Sequence, residues 1–294
     1  MRSLKFCLLD VFSEEKYAGN QLAVFRNARG LSKVQMQKIA NEMHFSETTF
    51  ILSDEERDGG YDVRIFTPAN ELPFAGHPTL GTAYVIRHQI LNRAVEKVLL
   101  NLKVGQIRVT FEKDAAGEEV LWMKQIPPAF GETFGASGIS EALGLDEKDV
   151  DGRFPVQEVS TGIPFTIVPL KSLDAVKSAR VDWERYEKLT KASQSGILVF
   201  SPETYEKENN LNVRVFVALF GIPEDPASGS ANGCLAGYLS LYRYFGSDIV
   251  DIRVEQGCEI SRPSVLRLKA RKRLNEIQVH VGGKVVMVAI GELV

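Results

Sequence analysis

The chain has 294 residues, a net charge of −3 with both signs interspersed, and 44% hydrophobic against 25% charged residues. That is the composition of a soluble globular protein with a real core, with room for one large domain or two ordinary ones at about 100–200 residues each. Nucleic acid is not the expected partner, since the basic "RLKARKR" (267–273) alternates with apolar residues like the wet face of a strand.

The N-terminus reaches Asp10 after a very short apolar run, too little for a signal peptide. No stretch approaches the ~18 apolar residues of a membrane helix. Three scattered cysteines (Cys7, Cys234, Cys258) argue against a disulfide framework and for a reducing, cytoplasmic setting.

In chain order, "LKFCLLDVF", "LAVF", "TTFIL", "YDVRIF", "KVLLNLKV", "QIRVTFE" and "EVLWMKQI" read as short strands bounded by turn signals such as "DGG" and "DAAGEE". Two helices are expected among them. "SKVQMQKIANEM" (32–43) has a serine cap and an apolar face, and "TLGTAYVI" follows His77. Pro and Gly accumulate in "QIPPAFGETFGASG" (125–138), which sets a boundary between residues 1–127 and 128–294, with the last strand free to cross back. Beyond it "QEVSTG", "PFTIVPL", "GILVFS" and "NVRVFVALF" are strands. A second buried-looking helix, "SANGCLAGYLSLYRYF" (230–245), then precedes "DIRVEQG", "SVLRLKA" and "EIQVHVGGKVVMVAIGELV". The expected class is α+β: two similar domains, each a curled mixed sheet around one central helix, with the active site in the cleft between them.

The halves support such a duplication. "RIFTPANELPFAGHPTLGTAYV" and "RVFVALFGIPEDPASGSANGCLAGYL" each give Arg-x-Phe, a connection containing proline, and a helix with glycine one turn in, Gly81 matching Gly233. Both helices are apolar nearly all round, which predicts burial on every face. A buried helix start still carries unpaired amides and a partial positive charge, and a substrate carboxylate is a fitting partner. At the first mouth Gly76 permits close backbone approach, His77 can exchange a proton, and Pro78 loses nothing at the first turn. At the second stand Asp225, Ser228, Gly229 and Ser230, any of which taken singly also fits a plain cap or turn. Glu47, in "HFSETTF", lies where the chain enters a strand. Facing solvent it would be inert, whereas facing an apolar cleft it would be a carboxyl of raised pKa that can take and return a proton.

Together "DVFSEEKYAGNQLAVF", "FSETTF", "RIFTPANELPFAGHPTLGTAYV", "VSTGIPF" and "EDPASGSANGCLAGYL" resemble the phenazine biosynthesis PhzF-like isomerase family, in order and over nearly the whole chain. That family is similar in fold to diaminopimelate epimerase. The resemblance implies a cofactor-free proton shift between carbons of a small cyclic, unsaturated carboxylic acid, with no metal. It assigns Glu47 as the proton shuttle and His77, Asp225 and Ser230 as groups that orient the substrate or relay protons. Asn20 and Gln21 would line the cleft with Gly76, Ser228 and Gly229. Gly76 and Ser228 fall where the epimerases place two catalytic thiols, so a two-thiol mechanism is disfavoured, and Cys234 reads as core.

The alternatives are an epimerase or racemase of another small acid and a silent small-molecule-binding protein. Walker loops, G-x-S-x-G elbows and ligand-spaced histidines are absent from the sequence. The expected partner is a small carboxylic acid rather than nucleic acid or membrane, and the expected state is a homodimer.

Overall fold

Ser32 caps the first long helix by accepting from the Gln35 amide, while the Gln35 side chain reaches back to the Ser32 amide. The computed structural model describes residues 3–190, 195–217, 222–274 and 276–294. By internal contacts the chain divides into two units, residues 1–123 with 282–294, and residues 124–281.

The first unit runs β1 (Leu4–Val11), β2 (Asn20–Phe25), α1 (Lys33–Met43), β3 (Glu47–Ile51), β4 (Tyr61–Phe66), β5 (Glu71–Leu72), α2 (Gly76–Val85), β6 (Lys97–Leu102), β7 (Gly105–Lys113) and β8 (Glu119–Lys124). β1 pairs antiparallel with β2, β2 parallel with β3, β3 antiparallel with β4, and β4 antiparallel with β5 and parallel with β6. β6, β7 and β8 then form an antiparallel meander.

The second unit contains β9 (Ala129–Phe134), α3 (Ala136–Leu143), β10 (Val156–Ser160), β11 (Pro164–Pro169), α4 (Leu173–Ser178), α5 (Trp183–Thr190), β12 (Gly196–Ser201), β13 (Leu211–Val217), β14 (Ile222–Asp225), α6 (Gly229–Leu241), β15 (Ile249–Gln256), β16 (Ser264–Arg273) and β17 (Glu276–Gly283). Its pairings repeat those of the first. β10–β11 is antiparallel, β11–β12 parallel, β12–β13 antiparallel, β13–β14 antiparallel, β13–β15 parallel and β15–β16 antiparallel. The final strand, β18 (Val285–Leu293), pairs with β1 in the first unit.

Each unit sets its sheet against one helix. α2 packs on β1, β2, β3, β6, β7 and β18, and α6 on β10, β11, β12, β15 and β16. Nearly every residue of α2 is buried, and α6 is buried from Ala231 to Ser240, as helices apolar all round must be. Gly81 shows how tightly α2 is held. A Cβ there would lie 2.5 Å from Leu22 and 3.0 Å from Val11. No helix among the described residues is long and apolar enough to cross a membrane.

The expectation of a single helix in the second half is corrected, because α3, α4 and α5 are also present. Helices of six to eight residues give barely two turns of periodicity, and α3 begins inside the Gly-rich stretch read as a linker. Ile139 and Leu143 of α3 join Val176 of α4 in one apolar cluster, so packing rather than local propensity forms these helices. The same linker also holds β9. The strand expected over 212–220 is described as far as Val217, and residues 218–220 lie outside the described residues.

Candidate functional site

Successive side chains of a strand point to opposite faces, and β3 uses both. Phe50 joins Phe25, Phe66 and Met36 of α1 in an apolar cluster. On the other face Thr49 shares a buried 2.8 Å hydrogen bond with Thr82 of α2, and Glu47 meets His77 at the start of α2. The His77 Nε2 lies 3.4 Å from the Glu47 Oε2. His77 is 5% exposed and the Glu47 side chain 16%, so this contact is largely shielded from water.

Burial pushes the His77 imidazole down to about 3, against a hydrogen bond to the Gln21 backbone that favours the charged ring. The ring is therefore neutral at ordinary pH. Nε2 makes no hydrogen bond, so the bond to Gln21 belongs to the other ring nitrogen, Nδ1 as donor to the carbonyl. This fixes the tautomer and turns the Nε2 lone pair toward the Glu47 carboxyl, an arrangement able to take a proton from the carboxyl or help return it. The Gln21 residue is exposed, and its backbone carbonyl is the part that meets His77. Asn20 is buried.

Ala75 precedes α2 and offers no side-chain cap. Pro78 has no N–H, so the first-turn donors are few and include the amides of Gly76 and His77.

In the second unit Ser228 is the cap of α6, its hydroxyl accepting from the Ala231 amide. Gly229 and Ser230 hold the first-turn amides that this cap does not engage. Asp225 ends β14, where its Oδ1 accepts from the Ala227 amide. Cys234 is fully buried beside Thr161 and the Ile163 carbonyl, and burial pushes its thiol up to about 12, the reverse of a reactive cysteine.

The repeated pairings match the two mouths residue by residue. Glu71 stands opposite Phe66 as Glu224 does opposite Phe216, and each glutamate binds the arginine of its Arg-x-Phe motif. Gly76 then matches Gly229, the first residue of each helix. This corrects two sequence equivalences. Gly81 matches Cys234 rather than Gly233, and the partner of Gly76 is Gly229, with Ser228 matching the cap Ala75. No thiol stands at either helix start.

Two polar residues were missed by sequence reasoning. Gln256 at the end of β15 and Asn232 in α6 are fully buried, and both bond to the α6 mouth. No sequence signal marked them, because their counterparts in the first unit are set by strand pairing. By the parallel pairings Gln256 stands where the first unit has Leu102.

The family described as "Phenazine biosynthesis-like protein" matches residues 9–291. The chain is 33% identical to a trans-2,3-dihydro-3-hydroxyanthranilate isomerase of Pseudomonas fluorescens, over 98% of this chain and 99% of that protein. A crystal structure of a Bacillus anthracis phenazine biosynthesis protein of the PhzF family superposes with a TM-score of 0.92 at 28% identity, covering 100% of both chains. A hydroxyproline epimerase from Agrobacterium vitis superposes at 0.60 with 8% identity, over 100% of this chain and 91% of that one. That likeness is one of fold alone.

Proposed function

The chain belongs to the phenazine biosynthesis-like protein family, and from that premise we propose that it is an isomerase moving a proton between two carbons of a small, cyclic, unsaturated carboxylic acid without a cofactor. The reading is carried by the buried contact of Glu47 with His77.

Glu47 takes a proton from a carbon activated by neighbouring unsaturation. The C–H bond breaks, an O–H bond forms on the carboxyl, and the electron pair spreads into the conjugated system. The proton is then returned to a different carbon, so nothing is oxidised or reduced. Neutral His77 presents Nε2 to the carboxyl and holds the proton's path within the buried pocket. The amides of Gly229 and Ser230, with the Ser230 side chain, bind the substrate's carboxylate, the helix start contributing its partial positive charge, while Asp225 accepts from the ring substituents. Glycine at both helix starts supports a carboxyl-driven shift over a two-thiol racemisation.

The test is incubation in heavy water with a trans-2,3-dihydro-3-hydroxyanthranilate-type acid. Rearrangement is expected, with deuterium at the new C–H position wherever the Glu47 proton exchanges with solvent before its return, and both should vanish in Glu47→Gln. Deuterium at the original carbon with loss of optical activity would replace isomerase by epimerase. Undiminished turnover in Glu47→Gln would refute the assignment.

A further inference from the structure

Gln256 ends β15 and is fully buried. Its side chain uses both ends. Nε2 donates to the Asp225 carbonyl at 2.6 Å, and Oε1 accepts from the Ser228 amide at 3.3 Å and from the Asn232 Nδ2 at 2.8 Å. That same Nδ2 donates to the Ser228 carbonyl at 2.9 Å. One side chain thus ties the strand end carrying Asp225 to the residue that caps α6, and a second closes the ring.

The backbone beside it is equally constrained. Gly257 has φ +79°, and a Cβ there would lie 2.6 Å from the Pro226 carbonyl oxygen and closer still to that of Arg262. The turn after Gln256 is therefore pressed against the Asp225–Pro226 corner, which only glycine permits.

The other unit serves as an internal control. Leu72 occupies the position of Asp225, and Leu102 that of Gln256. Thr79 stands in place of Asn232, and its hydroxyl donates to the Ala75 carbonyl at 2.7 Å just as Asn232 does to Ser228. The link from helix to cap carbonyl is thus common to both mouths. The link from cap to strand end is added only where an aspartate must be held.

We propose that Gln256, with Asn232, is a positioning residue that fixes Asp225 and the first turn of α6 in the geometry the substrate meets. The role in turnover rests on the isomerase reading, and the geometric role does not. A substrate-binding group shifted by about 1 Å can cost 10²-fold in rate, so the fixed corner has consequences well beyond stability.

The experiment replaces Gln256 by Glu, which keeps the shape but removes the Nε2 donor, and Asn232 by Asp, which removes both Nδ2 donations. Asn232→Asp also stands in should Gln256→Glu fail to fold. Amide hydrogen exchange is measured in the first turn of α6 and, as a reference, over Leu235–Leu239. In each folded variant first-turn exchange should rise at least tenfold with the reference unchanged. For Gln256→Glu, kcat should fall on the order of 10–100-fold with KM within about threefold. Unchanged first-turn exchange, or unchanged kcat in an otherwise active enzyme, would overturn the proposal. A wild-type chain that never rearranges the substrate, with the mouth loosened in the variants, would overturn the isomerase reading and support the positioning role.

Discussion

The His77 Nε2 sits 3.4 Å from the Glu47 Oε2 in a pocket that keeps the imidazole neutral. The pair joins the first residue of a strand to the second residue of a helix, and the Thr49–Thr82 hydrogen bond pins the same two elements nearby. A contact fixed at two points along β3 holds the Glu47 carboxyl and the His77 ring in register.

Glu47→Gln should therefore act on chemistry and little else. The amide keeps the volume of the carboxyl but cannot carry the proton, and general acid–base help is typically ~10²–10⁴-fold. Turnover should fall by at least that factor, with thermal melting moved by only a few degrees. Melting curves and the rate of substrate rearrangement on one preparation check this.

His77 gives stability a pH dependence whose sign is set by burial. The unfolded ring takes a proton near pH 6.5, and the folded ring only near about 3. Its contribution is complete above pH 6.5 and is lost as the pH falls toward 3. Below the upper limit each pH unit costs up to about 1.4 kcal/mol from this one group. Urea denaturation at pH 7 and pH 4.5 should show the loss, and His77→Gln should flatten it over that window.

Thr49 and Thr82 should show strong coupling. Replacing either by Val leaves the other hydroxyl buried without its partner, at a cost of about 1–3 kcal/mol, whereas the double replacement restores an apolar contact. The double variant should be more stable than the sum of the singles by at least about 1 kcal/mol. Denaturant titration of the four proteins measures it.

Arg214 is buried against Glu224 and also donates to the carbonyls of Val176 and Ala179 at the end of α4. Glu224→Gln removes the nearer of the two carboxylates that face this buried guanidinium and leaves Glu259 at 4.0 Å, so the cost should be at most the about 3–5 kcal/mol of a broken buried pair. Calorimetry should show a fall in melting temperature, and an unchanged value would mean that Glu259 and the carbonyls suffice.

Gly81→Ala sets two effects against each other. Helix propensity favours alanine by about 1 kcal/mol, but the new methyl would meet Leu22 at 2.5 Å and stiff, β-branched Val11 at 3.0 Å. Overpacking of a filled core costs about 1–3 kcal/mol, so net destabilisation is expected in a urea titration.

Much of this was legible in the linear chain. Alternation marked β3 and β4, the apolar helices after His77 and Ser228 announced their own burial, and the quoted motifs placed the chain in its family. Those features depend on periods of two and 3.6 residues and on local turn chemistry, which a sequence carries in full. Tertiary structure decided the rest. The short helices α3 to α5 exist because their apolar residues find one another in a shared cluster. The Gln21 backbone, rather than its side chain, orients His77, because strand pairing brings that carbonyl to the ring. Ser228 and Ser230 looked interchangeable until the cap hydrogen bond chose Ser228. Gln256 lies far along the chain from the aspartate it holds, and no local pattern reports a hydrogen bond that only the pairing of β13 with both β14 and β15 makes possible.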